Sequence, residues 1–486
     1  MASKLTHRPS LSRDPFSKNR KLDLLLAAMG IIPFVFIVYL VYKYHVNAPY
    51  GDQWYLVPMV DRFYHGKLTF YHLWSQFGDH RIFFPKVIAL ALVEMSSWNT
   101  LFELSFNIVL YAALCVVILV QIRKSLSLIG SGFVSMFIPM VSVIVFSAQN
   151  WENWLCGLQI TYSLNFLCAV SGLLLLCEPR HRIGSLIAAF LLGLVATHSF
   201  SFGLAYWPVG FIPLILWRGE NRPLRRGFLL LWTGCSALGY LTFFYGYVRI
   251  ADPVHSKFYG SRIYDVVLFT LSLLGNPLRR LFDLMHLPQK WTLVGSLVLF
   301  TLLGLSAYVI SRFAKDKLAV MLPYVCVIFY AVLSSMLIAV GRSGAGIGPA
   351  FWVRYSMAPN LAWLSLTVLA IMSILVLWPF RAVFTRLSSC VLILLFSMVC
   401  LSYIGCAAVD SVMGVKSFKR FHQDLQEPYR ALLCSEKSDK VRPLLPWSVE
   451  FLQKQADVLK RLELSVYSKS LAAQREDICG QADTAR

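Results

Sequence analysis

The chain is predicted to be an all-α polytopic membrane protein, and three observations lead there. Hydrophobic residues make up 57% of its 486 residues and charged ones only 14%, against about 25% charged in soluble domains. Several stretches run about 18 residues or more almost without charge, enough to cross some 30 Å of hydrocarbon. Its 45 Lys and Arg, against 25 Asp and Glu, gather in short runs between those stretches, as in cytoplasmic loops facing anionic lipid. No basic stripe interleaved with polar readers appears, so the net charge of +20 points to membrane lipid and not to nucleic acid.

Residues 1–21 are basic (Lys4, Arg8, Arg13, Lys18, Arg20, Lys21) and are expected on the cytoplasmic side. The apolar run that follows is too long for a signal-peptide core and lacks a small-residue cleavage site, so 22–43 is read as an uncleaved first span. A transmembrane domain over 22–408 then takes in spans near 101–121, 127–147, 155–177, 183–198, 203–217, 227–248, 291–311, 318–340, 360–379 and 388–408. Two segments are ambiguous. Residues 82–98 are short for a span and carry Pro85, Lys86 and Glu94, and 264–285 are broken by Gly275-Asn276-Pro277 and Arg279-Arg280. Read as interfacial or re-entrant helices, they leave about eleven spans; if either crosses, the count rises to twelve or thirteen.

That parity puts the loops holding Arg123/Lys124, Arg180/Arg182, Arg218/Arg222/Arg225/Arg226, Arg312/Lys315/Lys317 and Arg381/Arg386 in the cytoplasm. The first extracytoplasmic loop is 44–98, and every motif-bearing loop shares its side. The polar tail 409–486 also falls outside, with a helical pattern over 447–468 suited to the membrane surface. Nine of the eleven Cys lie in or beside apolar segments, where Cys acts as a small hydrophobe. Cys434 and Cys479 lie in the tail and can pair if it faces an oxidising compartment.

The candidate chemistry begins at 50–86, a polar interruption mixing Asp, His and Arg with Trp, Tyr and Phe. Asp52, in Tyr50-Gly51-Asp52-Gln53-Trp54, stands just beyond the first span. A partly desolvated carboxylate there suits proton abstraction from an incoming hydroxyl or amine. Gly78-Asp79-His80-Arg81 sets an acid, an imidazole and a guanidinium before the first ambiguous helix, and Arg81 suits bidentate contact with a phosphate. In 147–154, Gln149, Glu152 and Asn153 stand among Trp151 and Trp154, a combination suited to sugar hydroxyls and pyranose faces. His198, in Thr197-His198-Ser199, joins the group. The glycine-rich 341–348 with Arg342, then Arg354, can bring backbone N–H groups and guanidiniums to an anion. It is not a Walker loop, since no Lys-Ser/Thr follows. His65, His72 and His80 match no zinc spacing.

This layout resembles the GT-C superfamily of membrane glycosyltransferases, which draw sugars from polyprenyl-phosphate carriers. Asp52 matches the acid placed just after the first span. His80, Arg81 and Pro85 fall where juxtamembrane helices begin, and Glu152 lies in the second outer loop. The string Gly51-Asp52-Gln53-Trp54, Asp79-His80-Arg81-Ile82 and Trp98-Asn99 also resembles bacterial membrane proteins assigned to that superfamily. The resemblance implies a multi-pass protein of the bacterial inner membrane. It implies a polyprenyl-phosphate-linked sugar as donor, a glycan or lipid as acceptor, and inversion at the anomeric carbon. It makes Asp52 the base, with Glu152 beside it. Arg342, Arg354 or Arg81 would hold the carrier phosphate, and Asp79, His80, Gln149, Asn153 and His198 would bind substrate. Glu152 stands where an Asp pair is usual, so no metal or other cofactor is implied. The alternative reading is a transporter or flippase for a lipid-linked or polar solute, and a third is a structural assembly partner. Polar residues concentrated at one face, without an internal repeat, favour the enzyme.

Overall fold

The computed structural model describes residues 20–130, 134–178, 182–216, 222–248, 262–313, 319–377, 386–436, 438–446 and 448–483. The residues before Arg20, Trp447 and several basic connections, among them Arg180, Arg218, Lys315, Lys317 and Arg381, lie outside them. Among the described residues every regular element is helical.

Helix α1 (Arg20–Tyr44) leads through a 3-10 turn to three short helices: α2 (Val57–Tyr64), α3 (Phe70–Trp74) and α4 (Phe83–Ser96). Then come α5 (Thr100–Ile129), α6 (Phe137–Val145), α7 (Trp151–Leu155), α8 (Ile160–Leu176), α9 (Ile183–Thr197), α10 (Tyr206–Ile215) and α11 (Arg222–Phe244). Next are α12 (Ile263–Gly275), α13 (Arg279–Leu284), α14 (Thr292–Phe313), α15 (Leu322–Arg342) and α16 (Met357–Leu377). Helix α17 (Arg386–Leu433) runs for 48 residues, and α18 (Val449–Arg461) and α19 (Ala472–Asp483) follow it.

By length and composition, 8 of these helices are able to cross a membrane: α1, α5, α8, α11, α14, α15, α16 and α17. The chain is a multi-pass membrane protein. Most of α8 and α16 is buried within the protein, whereas α1 and α11 turn most of their surface outward. Helices bond their backbone groups within themselves, which the bilayer demands of any spanning segment.

Several sequence expectations change. Helix α5 continues to Ile129, so Arg123 and Lys124 sit on its last turns and not in a loop, with Lys124 paired to Glu178. The expected span 127–147 contracts to the nine residues of α6. The expected spans 183–198 and 203–217 become apolar helices of 15 and 10 residues, the second with Pro213 inside it. Hydropathy alone does not register such breaks. The expected tail boundary at 408 also has no counterpart in the backbone, because α17 passes through it without interruption.

Residues 82–98 contain only the 14-residue α4, and 264–285 are divided between α12 and α13. Helix α12 packs against α14 and α15, and the Leu274 carbonyl near its end accepts from Trp363 Nε1 on α16 at 2.7 Å.

The tail packs on the rest of the protein. Phe451 of α18 stacks on Tyr55 with centroids 4.9 Å apart, and Arg461 pairs with Asp61 at 2.9 Å. Ser465 N donates to Ser97 O at 2.8 Å. A disulfide joins Cys434 to Cys479 and closes the segment that makes these contacts. The tail thus caps the loop between α1 and α5.

Candidate active site

The site is built on the turn that follows α1. Thr100 N, at the start of α5, donates to Asn47 Oδ1 at 2.9 Å, and Thr100 Oγ1 donates to Val46 O at 3.1 Å. The chain is thereby tied down before it enters the 3-10 turn Gly51–Leu56. Gly51 takes φ +57°, a left-handed conformation cheap only for glycine. In this turn Gln53 and Trp54 point inward and are buried, while Asp52 faces out.

Asp52 faces a cavity of about 300 Å³. Asp79 and His80 line it from the same loop, and Gln159, Thr161 and Tyr162 from the start of α8. Arg342, at the end of α15, enters with Arg354 and Tyr355 from the glycine-rich connection. Phe200 and Phe202, then Phe243, Phe244 and Tyr247, supply aromatic walls. Phe244 and Val340, both cavity-lining, are also 51% and 48% exposed on the outer surface, so the walls extend to the lipid-facing side.

The charges in this cavity are held by specific partners. Arg342 Nε donates to Tyr355 OH at 3.1 Å, and its Nη1 to Gly341 O at 2.9 Å. Arg354 Nε lies 3.2 Å from Glu152 Oε1. Burial raises the Glu152 pKa, Arg354 opposes that and the nearby Asp52 adds to it, leaving it above the ordinary carboxylate value. Burial works against the Arg354 charge, but Glu152 and neighbouring tyrosines outweigh it and hold the guanidinium firmly protonated. The His80 ring stacks on Phe200 with centroids 3.8 Å apart and shares a hydrogen bond with Ser201 Oγ at 2.9 Å. Burial, with Arg342 adding to it and Asp79 opposing, drives its pKa far below the usual value, so the ring is neutral at pH 7.

Of the ten residues expected from the sequence, Asp52, Asp79, His80, Arg342 and Arg354 line this one cavity. Glu152 stands against it through Arg354. The other four are not among its lining residues. Arg81 is buried, and its guanidinium donates to the carbonyls of Phe243 at 2.5 Å, Trp74 at 2.9 Å and Tyr245. These three bonds tie the loop to the end of α11 and turn the guanidinium toward backbone carbonyls. His198 is buried under Trp74, centroids 4.8 Å apart, with Nδ1 bonded to Leu194 O. Asn153 is buried and donates to Arg354 O at 3.3 Å. Gln149 sits where the connection between α6 and α7 passes Gly414 of α17. These side chains place the backbone that carries the site.

Sequence reasoning missed Gln159, Thr161 and Tyr162, which lie beside an apolar run with no charge to mark them, and it marked Phe200 and Phe202 only as neighbours of His198. Tyr355 was marked only by its neighbour Arg354. No protein-family profile, curated protein or solved structure matches this chain.

Proposed function

We propose that the chain is a membrane glycosyltransferase that moves a sugar from a polyprenyl-phosphate carrier to a hydroxyl of a glycan or lipid acceptor. The observation that carries this reading is the convergence of Asp52, Arg342 and Arg354, from stretches far apart in the chain, on one cavity. Asp52 takes the proton from the acceptor hydroxyl. The oxygen attacks the anomeric carbon as the bond from that carbon to the carrier phosphate oxygen breaks, and the configuration inverts. The departing phosphate keeps the electron pair and gains negative charge, which Arg342 and Arg354 neutralise in a site of reduced dielectric. Phe244, on the cavity wall and half exposed, offers a ring face to a sugar. The apolar wall that reaches the outer surface beside Phe244 and Val340 suits a carrier arriving from the bilayer.

The tail held by the Cys434–Cys479 disulfide packs on Tyr55 and Asp61, close in sequence to Asp52, and such a bond is at home in an oxidising compartment. That supports a reaction outside the cytoplasm, as at the outer face of a bacterial inner membrane. The test is Asp52→Asn. In native membranes it should lower release of polyprenyl phosphate from polyprenyl-phosphate sugars by about 10²-fold or more, with insertion unchanged. Wild-type release and an unaltered envelope glycan profile in that variant would overturn the proposal.

A further inference from the structure

We infer that Glu103, which lines none of the main cavity, is a positioning residue that holds Asp52 in place through Gln53. The inference rests on the reading of Asp52 as the base.

Glu103 lies in the first turn of α5 and is 2% exposed, and Gln53, next to Asp52, is 1% exposed. Gln53 Nε2 donates to Glu103 Oε2 at 2.5 Å. The other end of the same amide, Oε1, accepts from Tyr50 N at 3.4 Å. One side chain therefore bridges the entry of the 3-10 turn to α5, and Asp52 rides between the two anchored points. A buried carboxylate without such a donor would be costly, and a helix N-terminus favours negative charge at this position.

Gly157 forms the third side of this arrangement. A Cβ there would collide with the Glu103 carboxylate and the Gln53 amide, so only glycine leaves space for the pair to meet. The same residue opens the segment that delivers Gln159, Thr161 and Tyr162 to the cavity. Glu103 therefore sets the turn bearing Asp52 against the opposite wall at a fixed spacing.

The test compares Glu103→Ala, Glu103→Gln and Gln53→Met in native membranes. Release of polyprenyl phosphate reports turnover, and binding of added polyprenyl phosphate reports the donor side. Glu103→Gln keeps an oxygen to accept from Gln53 and should stay within about threefold of wild type. Glu103→Ala and Gln53→Met release the turn and should lose about 10–100-fold in turnover, with polyprenyl-phosphate affinity within about twofold. Gln53→Met leaves the α5 terminus intact and answers the question if Glu103→Ala fails to insert. Unchanged turnover in Gln53→Met and Glu103→Ala, with Asp52→Asn inactive, overturns the positioning role alone. Equal losses in turnover and phosphate affinity overturn it too, since they mark general damage. Turnover in Asp52→Asn overturns the assignment of the base, and this inference with it.

Discussion

Replacing Arg354 by Ala should injure the protein less when Glu152 is replaced at the same time. The two groups are 3.2 Å apart, with 33% and 16% of their side-chain surfaces exposed. At that distance, Coulomb attraction is worth about 1 kcal/mol in water and about 5 kcal/mol at an effective dielectric of 20. A pair open to a cavity falls between these limits, and desolvation subtracts from it. Arg354→Ala leaves Glu152 as a largely buried carboxylate with Asp52 nearby, so Arg354→Ala/Glu152→Gln should recover about 1–2 kcal/mol of that loss. In a chain of this size the recovery amounts to roughly 2–4 °C in the unfolding midpoint or less, measured in detergent for all four corners of the cycle.

The pH dependence supplies a second check. A folded-state pKa raised above the ordinary 4.5 means that the folded protein holds the proton more tightly, so stability rises as pH falls through that raised value. Without Arg354 the window moves upward. The single variant should therefore gain stability on acidification, and the double variant should lack that component. A double variant no more stable than Arg354→Ala, at neutral pH and in acid alike, would show that the pair is not formed.

His80, neutral by burial, should make the protein acid-sensitive. Its unfolded form takes up a proton as pH falls below the ordinary 6.5 while the folded form resists, so stability should drop by up to about 1.4 kcal/mol per pH unit. His80→Gln should flatten that limb of the unfolding profile. Gly414→Ala would set a methyl group against the Ala148 carbonyl and Gln149 backbone. It should destabilise the protein by about 1–3 kcal/mol, read as a lowered unfolding midpoint. Breaking the disulfide, which spans 45 positions, frees a loop whose closure is worth at most about 4 kcal/mol in the chain-entropy account. Cys434→Ser should loosen the tail first, detected as faster proteolysis between 434 and 479 than within the helices. In the wild type, maleimide should label Cys434 and Cys479 only after reduction.

Polar residues at the borders of apolar runs made much of the site legible. Asp52, Asp79, His80, Arg342 and Arg354 stand out because a charge beside a span needs a reason to be there. Glu103 gave no such signal: an acid in the first turn of a helix is what the helix dipole favours anyway, and its partner Gln53 is fifty residues away. Arg81 and His198 look like ligands in the sequence but bond backbone carbonyls away from the cavity, Arg81 at the end of α11 and His198 one turn back on α9. The tail was legible as polar. Its seat on Tyr55, Asp61 and Ser97 was not, since contacts across some four hundred residues leave no local pattern. Helix ends were not legible where apolar character outlasts the helix, as around α6 and α10.

Helix α17 has a consequence of phase. Its 48 residues extend about 72 Å, more than twice the depth of the hydrocarbon layer, so one continuous rod, with Pro428 near its far end, begins among the bundle and ends at the cap. Each residue on that rod advances the azimuth by about 100°. Deleting one residue between 415 and 430 would swing the cap around the axis and carry Phe451 and Arg461 away from Tyr55 and Asp61. Deleting seven would return it within about 20° of its original heading but roughly 10 Å lower. The rod thus fixes where the cap points as well as how far it stands from the bilayer.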